Sequence, residues 1–137
     1  MGNASLTTSQ AEFVDRQRVA RLATVTEEAR PHVVPISPAL DVDRLVFATD
    51  RPTAKVRHIE GDPHVALAFD EYTEDWTALR QVIVFGTAMI VESGPEFERD
   101  RGLLYDKYEQ YSTVAPIERG TSVLVEIRID RVFADGV

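Results

Sequence analysis

Between Thr121 and Val132 the chain alternates: Val123, Val125, Ile127 and Ile129 take every second position, with Glu126, Arg128 and Asp130 among the residues between them. A period of two belongs to an extended strand with one buried face. The same reading predicts five further strands, over 19–25, 31–36, 45–49, 64–70 and 80–92. In the first, Val19, Ala23 and Val25 are expected on one face. Gly86 interrupts the longest and marks a bulge or bend. Asp41-Val42-Asp43 is short enough to close a hairpin before Leu45. Six strands joined mostly by turns favour a closed antiparallel barrel within a mainly β (α+β) fold. A barrel this small encloses only side chains. A sizeable ligand therefore sits outside it, in a groove between the barrel and a neighbour, and a dimer supplies such a groove.

Helical signals are few. Residues 9–17 suit a short helix capped by Ser9 or Thr8, with Glu12 three positions beyond Ser9. A second helix follows Pro52, runs through Lys55 and Ile59, and stops at Gly61. The third and longest spans 95–111, with Phe97, Leu104 and Tyr108 on one stripe. Residues 71–78 read as a charged loop and residues 1–8 as a loose leader. With 137 residues and no linker or repeat, the expectation is one domain.

Composition narrows the partners. A net charge of −8 argues against nucleic acid and anionic membranes. The absence of cysteine excludes disulfides, thiolate metal sites and cysteine nucleophiles. No apolar run approaches the roughly 18 residues of a membrane helix, and MGNASLTTSQ has no signal-peptide character, so a cytoplasmic setting is expected. His32, His58 and His64 lack the spacing of a metal site, and none is expected. Walker, dinucleotide and nucleophile-elbow motifs are missing, and no catalytic acid–base residue stands out.

The richest segment is Phe47-Ala48-Thr49-Asp50-Arg51-Pro52-Thr53-Ala54-Lys55. A strand ends, hydroxyls stand at 49 and 53, and a helix begins with Lys55 in its first turn. Free N–H groups at a helix start attract anions, and a lysine with two hydroxyls makes a phosphate cradle. A capped helix with solvated basic residues is the plainer alternative. Trp76 reads either as a core or interface anchor or as a stacking surface for a planar ligand. The acidic cluster Asp70, Glu71, Glu74 and Asp75 reads as a solvated loop.

Taken in order, these segments resemble the pyridoxamine 5′-phosphate oxidase-like, FMN-binding split barrels. Arg21-Leu22-Ala23-Thr24-Val25 with Arg30-Pro31-His32-Val33-Val34-Pro35 is similar to the family's opening hairpin. Leu45 to Asp50 with Thr53-Ala54-Lys55 resembles its phosphate-binding turn, Asp62-Pro63-His64-Val65-Ala66-Leu67 the start of its next strand, and Arg80-Gln81-Val82 with Gly86-Thr87-Ala88 the strand facing the isoalloxazine ring. Asp70-Glu71-Tyr72, Asp75-Trp76 and Leu79 look like the branch of probable coenzyme F-420 users.

The resemblance implies a six-stranded Greek-key split barrel with short flanking helices, assembled as a homodimer with two cofactor sites at the interface. Thr49, Thr53 and Lys55 would hold the cofactor phosphate. Backbone from Val33, Val34, Pro35 and Ile36 would line the ring face, Gln81 would sit near the ring edge, and Trp76 would lie near the groove. The oxidase proper carries arginine in place of Ala54, lysine in place of Ile36, and a basic, tryptophan-containing C-terminal segment in place of Phe133 to Val137. These departures argue against pyridoxamine phosphate oxidation. Arg51 and Arg57 would partly replace the missing charge or reach the anionic tail of a deazaflavin. The implied function is F-420-dependent reduction of a small organic substrate by hydride transfer. An FMN-dependent oxidoreductase of the same fold and a non-catalytic flavin or deazaflavin carrier are the alternatives.

Overall fold

The computed structural model of the protein describes residues 5–137. In chain order it holds α1 (Thr8–Arg16), β1 (Ala20–Val25), β2 (Pro31–Ile36), β3 (Ala39–Asp41), β4 (Arg44–Asp50), α2 (Ala54–Gly61) and β5 (His64–Glu71). A short 3₁₀ turn (Trp76–Ala78), β6 (Arg80–Val91), α3 (Gly94–Lys107), α4 (Gln110–Thr113) and β7 (Ser122–Asp135) complete it. All strand pairs are antiparallel, and the order across the single sheet is β2-β1-β5-β6-β7-β4-β3.

There are thus seven strands among the described residues, not six. The extra one, β3, has only three residues and follows Pro38, which is too short for any period to show. Its Asp41 pairs with Arg44, so the hairpin at 41–43 exists, but its first arm starts at Ala39. Nor is the sheet closed by hydrogen bonds: β2 and β3 are its two edges. It curls instead around one core, in which Ile36 of β2 and Leu45 and Phe47 of β4 join Leu22, Leu67, Val84, Val125 and Ile127. Each fully buried side chain of this size contributes roughly 1.5–3 kcal/mol.

Helices close the two ends. At one end α1 inserts Phe13 and Val14 into the core, and the Arg80 guanidinium stacks 4.8 Å above the Phe13 ring. Thr7, not Ser9 or Thr8, caps α1 in a box with Gln10. Order therefore begins inside the segment expected to be loose; residues 1–4 of that segment lie outside the described residues. At the other end α2 turns Val56, His58 and Ile59 inward. The expected third helix is two: α3 stops at Lys107, and α4 is a separate turn.

A second apolar cluster lies outside the barrel, where Phe97, Leu104 and Tyr108 cover Ala39, Val46, Val91 and Leu124. This is why β7 buries both its faces for much of its length. Asp100, fully buried on α3, accepts from Arg44 Nη2 at 2.8 Å, while Arg99 Nη2 donates to Glu126 at 3.0 Å. Glu126 is held protonated more readily than an ordinary glutamate, chiefly by a hydrogen bond to Asp100 and then by burial, against the pull of Arg44 and Arg99.

Two local expectations meet opposite outcomes. Gly86 does mark a bulge: Phe85 pairs with Arg131 but Gly86 with Ile129, leaving Asp130 unpaired. The β1 face is inverted, because Ala20, Leu22 and Thr24 point inward while Val19 is 43% exposed. Thr24 reads as a surface residue but is buried by a hydrogen bond to His58, and Ala23 and Val25 belong to an outer face that is itself apolar.

Candidate functional site

Where β4 hands over to α2, the chain leaves an anion cradle open. Thr53 is the N-cap of α2, yet its side chain makes no capping bond; its Oγ1 lies 3.2 Å from Thr49 Oγ1 instead. The first N–H groups of α2 are thereby left without a side-chain acceptor. Half-buried Lys55 sits in that first turn and makes no hydrogen bond or ion pair among the described residues. Uncapped N–H groups, two hydroxyls and a partnerless ammonium fit a phosphate. Arg51 is placed differently: Glu60 holds it at 3.2 Å and Glu92 closes on its other nitrogen. Arg57 is exposed in the middle of α2 and shares a cleft with His58, Glu27 and Asp62.

The second feature is a bare sheet face. Ala23 and Val33 pair across β1 and β2, and Ala66 and Phe85 continue that row on β5 and β6. The neighbouring row runs Pro35, Arg21, Ala68, Ile83 and Phe133. Apart from Arg21, which pairs with Asp70, these outward residues are small or apolar; Arg131 lies 3.9 Å over the Phe85 ring, while Val33 is 59% and Phe133 52% exposed. Helix α3 covers only the β3–β4–β7 side. A largely apolar face that no helix covers marks a binding surface. Of the residues expected against the ring, Val33 and Pro35 point onto this face, while Val34 and Ile36 point into the barrel. Because β2 pairs only with β1, its other edge is free. Prolines fit a ladder only where no N–H is needed, so Pro31 and Pro35 assign positions 31, 33 and 35 to the free edge. The Val33 N–H is then the available donor between two prolines.

Gln81 and Trp76 lie elsewhere. Gln81 is exposed on the outward face of β6, in register with Asp70 and Asp135. Trp76 is 73% exposed on the arm joining β5 to β6, outside the barrel, and its indole N–H donates to Tyr72 Oη at 3.3 Å. Thr49 pairs with Val123 at the start of β7, whereas Gln81 pairs with Asp135 at its end. Within one chain the cradle and Gln81 thus stand at opposite barrel ends.

Beyond the end of β2 is a cleft of about 360 Å³, lined by Arg18, Val19, Ser37, Tyr108, Tyr111 and Val114, among others. Tyr108 is fixed there, donating to the Pro38 carbonyl oxygen at 2.7 Å, and burial holds its phenol protonated. Tyr111 stacks parallel to Tyr105 at 6.0 Å. Sequence reading missed both the cleft and the bare face. The signal for the face was present: Val65-Ala66-Leu67-Ala68-Phe69 is apolar on both sides, the pattern of a strand covered twice.

The sequence profile of the pyridoxamine 5′-phosphate oxidase family matches residues 6–134. The chain belongs to this family. No curated protein matches this family member in sequence. Among solved structures, a conserved hypothetical protein of Mycobacterium tuberculosis is 22% identical, with a TM-score of 0.80, over 98% of this chain and 88% of its own. An F420 reductase is 23% identical, with a TM-score of 0.75, over 93% and 98%. A haem storage protein of Vibrio cholerae is 16% identical, with a TM-score of 0.78, over 94% of each chain. These likenesses show the split-barrel fold. No helix among the described residues is long and apolar enough to cross a membrane.

Proposed function

We propose that this family member is a homodimeric oxidoreductase that holds a flavin-type cofactor by its phosphate and reduces a small organic substrate by hydride transfer. Coenzyme F-420 is the leading cofactor and FMN the alternative. The observation that carries the reading is the open cradle of Thr49, Thr53, Lys55 and the uncapped start of α2. When bound, the cofactor supplies the two-electron chemistry. The chain's own residues bind and orient it. Lys55 would neutralise the cofactor phosphate, the Val33 N–H would offer a donor to the ring, and Ala23, Ala66 and Ala68 would give a flat apolar surface that keeps water out. The Tyr108–Tyr111 cleft receives the substrate beside the end of β2.

Two observations weigh on the choice of cofactor. An F420 reductase of the same fold, matched over nearly its whole length, favours the deazaflavin. The pairing of Arg51 with Glu60 and Glu92 favours FMN, since it occupies one of the two arginines a deazaflavin tail would meet. Titration of the purified protein with both cofactors, followed by absorbance and fluorescence, decides between them. Turnover with reduced cofactor separates an enzyme from a carrier. Failure to bind either cofactor would overturn the reading.

A second reading, haem binding, rests on His64. This exposed imidazole has its Nδ1 2.8 Å from Asp62 Oδ1, leaving Nε2 free beside a cleft of about 350 Å³ lined in part by Ala23, Val25, Pro31 and Ala66. A carboxylate-backed imidazole next to an apolar groove would suit a residue that holds a haem iron, and a haem storage protein shares the fold. Hemin titration of wild type and His64→Ala tests it; a Soret shift that survives the substitution would remove His64 from the site.

A further inference from the structure

The inward side of α2 carries a histidine pair that the cofactor reading does not use. His58 is only 8% exposed. Its Nδ1 lies 2.9 Å from Thr24 Oγ1 on β1, and its ring meets that of His32 on β2 nearly edge-on, with centroids 4.8 Å apart and planes at 77°. His32 Nδ1 is buried without a hydrogen-bond partner among the described residues. Among the described residues no carboxylate bonds to either ring. The charged groups facing His58 are Arg57 beside it on α2, Glu27 and Glu28 on the β1–β2 turn, and Asp62 across a shared cleft. Asp62 is itself engaged by His64.

We propose that His58, wedged between Thr24 and His32, is an acid-sensitive latch that seats α2, and with it the Thr53–Lys55 cradle, on the barrel mouth. Seated, the imidazole favours its neutral form: a proton would place a cation on a ring that is nearly buried, bonded to Thr24 and packed edge-on against a second imidazole. Burial first, then His32 and Arg57, hold His58 below the ordinary imidazole range, and Glu27 and Glu28 oppose them only weakly. A released α2 exposes His58 to water, where it takes a proton below about pH 6.5. The seated state is therefore fully favoured above that value and loses ground as the pH falls. Release is local. Apart from His58, α2 is anchored by Val56, Ile59 and the Glu60–Arg51 ion pair and shares no strand ladder, so the sheet survives its opening.

The latch concerns the protein without ligand; only its consequence for cofactor affinity rests on the proposed function. The test uses ligand-free protein, so it is decided even if neither cofactor binds. Histidine ring NMR and amide hydrogen exchange are followed from pH 7.5 to 5 in wild type and in His58→Gln, a variant that cannot take a proton yet can still bond Thr24. The expected result is that His58 remains neutral below about pH 6.5, where a free imidazole takes a proton. Exchange at residues 56–61, corrected for intrinsic rate and compared with β7, should rise about tenfold for each pKa unit separating the seated from the free imidazole. His58→Gln should show no such rise. Ordinary titration of His58 in wild type, a measurement that needs no variant, would overturn the proposal, as would an equal rise in both proteins.

Discussion

Thr49 of β4 and Gln81 of β6 flank opposite ends of β7: Thr49 is in register with Val123, its second residue, and Gln81 with Asp135, its last. At about 3.3 Å per residue, those two positions are roughly 40 Å apart along the strand. In the proposed homodimer, a cofactor whose phosphate is held at Thr49, Thr53 and Lys55 of one copy would meet Gln81 or Trp76 of the other. The bare face of Ala23, Val33, Ala66, Phe85 and Phe133 is the surface on which a second copy would pack.

Lys55→Ala should weaken binding of FMN and of F-420 alike, by roughly ten- to a hundredfold, because a charge-assisted hydrogen bond contributes on the order of 1.5–3 kcal/mol. The half-buried Lys55 has no partner among the described residues, so circular dichroism should be unchanged. A binding titration on the folded variant is the check, and undiminished affinity for both cofactors would place the cradle elsewhere.

Gly86→Ala should destabilise the fold by about 1–3 kcal/mol. A Cβ at Gly86 would stand 2.5 Å from the Arg128 carbonyl oxygen and 2.6 Å from Ile127 Cγ2, in the middle of the β6–β7 ladder. Urea unfolding measures the loss; a midpoint equal to wild type would mean that the bulge relaxes freely.

Val42→Gly should stabilise by about 1 kcal/mol. Val42 is 88% exposed and takes a φ of 52°, a conformation that costs a β-branched residue but not glycine. No packing is lost in exchange. Thermal unfolding should show a higher midpoint, and a lower one would contradict the strain.

Glu126 gives stability a pH dependence of definite sign. Its raised pKa means that the folded state prefers the protonated carboxyl bonded to Asp100. This stabilisation is complete below the ordinary carboxyl pKa of about 4.3 and fades as the pH rises through the raised value. Glu126→Gln keeps a neutral donor for Asp100. Its stability relative to wild type should therefore rise between pH 4 and pH 7 in urea titrations, and a constant difference would show that Glu126 is ionised throughout.

Much of the fold was legible in the chain, and the gaps have physical causes. Alternation at Val123, Val125, Ile127 and Ile129 marks a strand under any packing, and Gly86 marks a bulge because the partner backbone leaves no room for a Cβ. β3 escaped because three residues after Pro38 carry no period. The face of β1 was inverted because Thr24 is buried by a bond to His58, thirty-four residues on in the chain, which no local pattern encodes. In the candidate site, hydroxyls beside a lysine at a helix start could be read locally. The capture of Arg51 by Glu60 and Glu92 could not, since it depends on where α2 and the end of β6 come together.

The most direct test of a site shared between two copies is a mixed dimer. Lys55→Ala and Trp76→Ala chains, each weak in cofactor binding alone, are combined and the heterodimer isolated. If one copy supplies Lys55 and the other Trp76, one of its two sites regains both residues and the other loses both. The account predicts recovery of wild-type affinity at one site per dimer in a fluorescence titration. A heterodimer that binds no more tightly than either parent would contradict it.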